Sequence, residues 1–178
     1  YSTDFEGAFK ITPPLDPAQV AYLRRFSDTR RMRRTVDVVA SLPDPLRTAV
    51  GLPIGEDGGF YVGSPDRYGQ DDTGVVDGSA PPAGQPELWC QWTVTDDGTA
   101  LEWDGGEKFY GYVDWLCWLA DVLLTPWGRR LDGAVSWQGE ESDDRGVIHA
   151  RRTDHGTEIE AIQTKFIDRP PSWGAKEE

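Results

Sequence analysis

Residues 88–103 read LWCQWTVTDDGTALEW, and this stretch decides the fold. In LWCQWTVT the residues alternate: Leu88, Cys90, Trp92 and Val94 fall on one face, Trp89, Gln91, Thr93 and Thr95 on the other. A period of two marks a half-buried strand. DDGT, with Gly98, reads as a turn, and ALEW resumes the strand. Two such runs joined by a short glycine-containing loop make a β-hairpin, whose strands are antiparallel.

Toward the C-terminus, Asp104 is followed three residues later by Glu107, the spacing of a capping box. That predicts a helix over 105–125, stopped by Pro126 and Gly128. Phe109, Val113, Leu116, Leu119, Val122 and Leu123 give it a core face. Glu107, Gly111, Asp114, Trp118 and Asp121 form the opposite stripe, so Trp118 is either covered by a long loop or exposed for a partner. LDGAVSWQ (131–138), VIHARR (147–152) and TEIEAIQTKF (157–166) read as strands joined by the turns GEESDDRG and DHG. The tail, 168–178, reads as loose.

Toward the N-terminus, FEGAFKI (5–11) alternates as a strand, and Asp16, Pro17 and Gln19 start a helix whose apolar face is Val20, Leu23 and Phe26. From 35 to 87 the chain reads as one irregular Pro/Gly-rich loop, with FYVGS (60–64) as a short strand inside it. The expected architecture is α+β: an antiparallel sheet of about five or six strands in a meander, two helices packed on one face, and one domain over 1–178.

Composition narrows the function classes. The formal net charge of −13 repels nucleic-acid phosphates and acidic membranes. No apolar run approaches the ~20 residues of a membrane helix. Cys90 and Cys117 sit in apolar stretches, LWCQW and WLCWL, and read as buried free thiols of a cytoplasmic protein. There is no P-loop, GxGxxG or HExxH, no metal-ligand spacing and no Ser–His–Asp or Cys–His motif. No cofactor or metal is expected.

Two features remain as site candidates. Arg24, Arg25, Arg30, Arg31, Arg33 and Arg34 crowd into eleven positions. Arginine grips phosphate and carboxylate with two prongs, but the same side chains have a plain use in pairing with the chain's 31 acids. The mixed face carrying Trp89 and Gln91 can floor a groove beneath the long loop, or Trp89 simply anchors that loop. In LEWDGGEKFY (101–110), capping accounts for Asp104 and Glu107, and a strand-to-helix bend accounts for the glycines. Glu102, Lys108 and Tyr110 are left without a structural duty.

ITPPL (11–15), TRRMRR (29–34), PPAGQPELWCQW (81–92), LEWDGGEKFYGYVDWL (101–116) and GAVSWQGEESDDRGVI (133–148) resemble a family of uncharacterised bacterial proteins that share PPAGQP-LWCQW and EWDGGEKFY blocks. The resemblance implies homology over 11–148 and carries no mechanism with it. Residues 35–56 and those after 149 depart from the pattern.

Three readings follow. The first is a binding protein for a small anionic, nucleotide-like ligand held by Arg30, Arg31, Arg33, Arg34, Trp89, Gln91, Glu102, Lys108 and Tyr110. The second is an acidic inhibitor or immunity-type protein covering a basic partner. The third is a hydrolase using Glu102 with a neighbouring acid, which needs Glu102 at the bottom of a concave pocket. Whether there is turnover is left open.

Overall fold

The computed structural model describes residues 1–63, 65–71 and 74–164. Its elements run β1 (Thr3–Thr12), α1 (Pro17–Ser27), β2 (Arg33–Arg34), α2 (Val36–Ala40), α3 (Pro45–Ala49), β3 (Val75–Asp77), β4 (Trp92–Val94), β5 (Ala100–Trp103), α4 (Tyr112–Trp118), β6 (Arg130–Gly139), β7 (Arg145–Arg152) and β8 (Thr157–Gln163). Six strands form one antiparallel sheet in the order β4-β5-β1-β6-β7-β8. The fold is α+β, as expected.

The hairpin is where the alternation placed it, with Thr93 opposite Glu102 and Val94 opposite Leu101. Its first strand is shorter than expected, because regular pairing begins only at Trp92. The sheet is not a simple meander. β1 wedges between the hairpin and β6, pairing with β6 from Thr3↔Gly139 to Thr12↔Arg130 and with β5 at Phe9↔Leu101. A central strand is buried on its packed face, and Phe5, Phe9 and Ile11 meet that requirement with at most 7% exposure.

α1 starts as its sequence dictates. The Asp16 carboxylate accepts from Gln19 N at 2.8 Å, and the Gln19 side chain accepts from Asp16 N at 3.0 Å. Val20, Leu23 and Phe26 are buried, with Tyr22 beside them.

The helix expected over 105–125 begins only at Tyr112. Gly105, Gly106 and Gly111 are poor helix formers, and Lys108 and Gly111 stand in the left-handed region at φ 58° and 66°. No capping box forms. The Asp104 carboxylate accepts from Gly106 N at 2.8 Å, a local turn two residues on. Past Trp118 the helix widens into a π-helical stretch, Leu119–Leu124. The wider turn places Leu119, Ala120, Leu123 and Leu124 all inward. Trp115, outside the expected core face, is fully buried because α1 packs on it, Phe26 meeting it edge-on at 5.8 Å. Trp118 is stacked on Phe26 at 5.2 Å and covered by Phe60 of the long loop at 6.1 Å.

That loop is more ordered than its composition implied. It holds α2, α3 and β3, which pairs with β2 just before the loop. Val39, Tyr61 and Val62 are buried. Residues 60–63 form no strand, and Ser64 lies outside the described residues, as does the tail 168–178. Among the described residues no helix is long and apolar enough to cross a membrane.

Candidate functional site

The described chain brings Arg30, Trp89, Gln91, Lys108 and Tyr110 onto one cleft of about 360 Å³, with Glu87, Leu88 and Glu107 completing its lining. This lies within the size range of small-molecule sites, roughly 300–1,000 Å³. One wall is the segment leading into β4, the other the loop between β5 and α4. The two are tied together. Asp104 N donates to Gln91 O at 2.9 Å, and a Cβ on Gly111 would lie 3.0 Å from the Glu87 Cγ, so Glu87 packs on the turn that opens α4.

Gln91 is the joint of the cleft rather than a free ligand-binding amide. Its Nε2 donates to the Glu107 carbonyl at 2.7 Å, and its Oε1 accepts from Trp103 Nε1 at 3.2 Å. Both ends of the amide are engaged, and Gln91 is 9% exposed. A Cβ on Gly106 would lie 2.8 Å from that Oε1, so a larger residue there would push the Gln91 amide off its two hydrogen bonds. The loop delivers Lys108 in the left-handed conformation, which costs a non-glycine residue about 1–2 kcal/mol. Tyr110 is half exposed beside it.

Arg30 enters from the other side. Arg31 N donates to Leu88 O at 2.7 Å and Arg30 N to Tyr68 O at 3.0 Å, which threads this segment between the two. Arg30 Nε donates to Gly78 O at 3.0 Å, leaving the two-pronged end of the guanidinium available to the cleft. Tyr68 packs edge-on against Trp89 at 5.7 Å and so backs the indole.

The remaining arginines do other work. Arg31 is 1% exposed, and its three nitrogens donate to Gln85 Oε1, Tyr61 O and Gly59 O. Its guanidinium lies 4.0 Å over the Phe26 ring, and burial lowers its pKa to about 10. Arg34 is buried, donates to Gly69 O and sits over Tyr61. Arg33 pairs with Asp57 at 3.3 Å. These three pin or balance the long loop and do not line the cleft, which corrects the expectation that Arg30, Arg31, Arg33 and Arg34 hold the ligand together. The distinction is one of direction: neighbouring arginines on an irregular chain point to different sides.

Glu102 is also elsewhere. It faces away from the helices, beside Thr93 and half-buried, so no paired-carboxylate site forms with the cleft. Asp104 has a raised pKa because of burial, opposed by the Gly106 N–H and reinforced by the Asp28 carboxylate. Cys90 is buried, with its thiol pushed up to about 12 by that burial, so it is no nucleophile. Among the described residues no group of His, Cys, Asp and Glu is arranged to hold a metal ion. Glu87 and Leu88 were missed in the sequence, where they look like ordinary residues before a strand. Glu107 was assigned to a cap that does not form. No family model, no curated protein and no solved structure matches the chain.

Proposed function

We propose that this is a soluble cytoplasmic binding protein for a small anionic, partly planar, nucleotide-like ligand taken into the cleft between residues 87–91 and 107–110. One observation carries the reading: two cations, Arg30 and Lys108, share a pocket with Trp89 and Tyr110. Arg30 takes the anionic group with its forked end, and Lys108 adds a point charge. The aromatic rings pack against the planar part. The chain's −13 charge opposes anions at long range, so recognition rests on this local pair.

Titration with nucleoside monophosphates, followed by tryptophan fluorescence and Tm, tests it. Arg30→Ala and Lys108→Ala are each expected to weaken binding roughly tenfold or more, the size of one charged hydrogen bond, while remaining folded with at most a small loss of Tm without ligand. If no nucleotide changes either signal, or both variants bind as wild type does, the reading is wrong.

A second reading, an acidic immunity-type protein for a basic partner, has its own observation. The sheet face away from the helices carries exposed Asp4, Glu6 and Glu160, with Glu158 paired to Arg151. Charge complementarity there would steer a basic protein. Immobilised protein should then retain one basic partner from host extract at low salt and release it at high salt; an empty eluate counts against this reading.

A further inference from the structure

The cleft does not present positive charge alone. Glu87 and Glu107 lie on the same lining as Arg30 and Lys108. Among the described residues, none of the four has an ion-pair partner. Opposite charges on one small cleft would ordinarily collapse onto each other. Here neither carboxylate comes within 4 Å of either cation, and the segments that carry them are pinned. The Glu107 carbonyl is fixed by Gln91, Lys108 is committed to a left-handed turn, Arg30 Nε is held by Gly78 O, and the Glu87 stem packs at Gly111. A site with charges of both signs, separated in advance, is complementary to a ligand bearing an anionic group and, apart from it, hydrogen-bond donors.

Resting on the nucleotide-like reading above, we propose that the ligand's planar part is a guanine-type base, whose donor edge is taken by the carboxylate of Glu107 or Glu87. A carboxylate accepts two parallel N–H bonds best, as it does from arginine. Guanine sets its N1–H and its 2-amino group side by side. Adenine and cytosine each place a ring acceptor next to the amine, where a carboxylate is repelled. Hypoxanthine keeps the N1–H and loses the amine. The cations then take the phosphate, and Trp89 and Tyr110 enclose the ring.

The test compares GMP, IMP and AMP on the intact protein by calorimetric titration. GMP is expected to bind at least roughly tenfold more tightly than either, the size of one charged hydrogen bond. Glu107→Gln or Glu87→Gln, whichever residue holds the edge, should erase that preference without weakening AMP, and the corresponding aspartate variant should retain part of it. Equal affinity for all three nucleotides in the wild-type protein overturns the guanine assignment while leaving the anion site standing. A GMP preference that survives both glutamine variants overturns the role of the carboxylates. If none of the three binds, the nucleotide-like reading itself fails and this inference falls with it.

Discussion

Replacing Arg31 with alanine is expected to lower the unfolding free energy by about 3–5 kcal/mol, read from a urea midpoint. The side chain is 1% exposed, and its guanidinium satisfies Gly59 O, Tyr61 O and Gln85 Oε1 at 2.7–3.3 Å while lying over Phe26. Removal takes a donor from Tyr61 O and Gln85 Oε1, while Gly59 O keeps the Gln85 Nε2 donor at 2.6 Å, and it opens a cavity beside an aromatic ring. Each unsatisfied acceptor costs about 1–3 kcal/mol, partly recovered if water enters. Arg31→Lys should lose most of the same stability, since a lysine cannot reach three divergent acceptors from a planar fork. Arg30→Ala, one residue away, loses only the part-buried hydrogen bond to Gly78 O and should cost about 0.5–1.5 kcal/mol. A midpoint for Arg31→Ala that matched wild type would show that the long loop is held by something else.

Trp92→Ala is expected to cost about 3–5 kcal/mol, and more if the backbone cannot collapse into the gap. The indole is 1% exposed and meets Phe5, Phe9 and Phe109 edge-on at 5.4–5.8 Å. Its Nε1 donates to Tyr112 O at 2.8 Å, which fixes the first residue of α4 to the hairpin. Trp92→Phe separates the two contributions: it keeps an aromatic body, loses the hydrogen bond, and should cost about 1–2 kcal/mol. Phe109 lies between Lys108 and Tyr110 in the chain, so even the milder variant should weaken ligand binding. Calorimetric unfolding with and without GMP checks both effects, and a Trp92→Phe variant that loses stability but binds GMP as wild type does would sever the core from the cleft.

What the sequence made legible was local. The Asp16–Gln19 cap, the DDGT turn and the GEESDDRG hairpin each depend on residues a few positions apart, and each stands where it was expected. The start of α4 was misjudged because the spacing of Asp104 and Glu107 outweighed three glycines that the chain uses for a bend. The candidate site was half legible. Residue types suited to anion and ring recognition were visible, but direction was not: nothing in TRRMRR says that Arg31 and Arg34 turn inward while Arg30 reaches the cleft. Glu87 carried no signal at all, since its role depends on Gly111, far along the chain.

The central position of β1 bears on how the protein is made. Thr3 pairs with Gly139 and Thr12 with Arg130, so the strand's whole β6 partner lies more than a hundred residues downstream. During synthesis at about 5–20 residues per second, β1 therefore emerges from the ribosome many seconds before it can be paired along its length. The hairpin at 92–103 arrives earlier and offers only the short contact at Phe9 and Lys10. Until β6 appears, the nascent chain carries a ten-residue strand with one long edge unpaired, a segment that a holding chaperone would recognise.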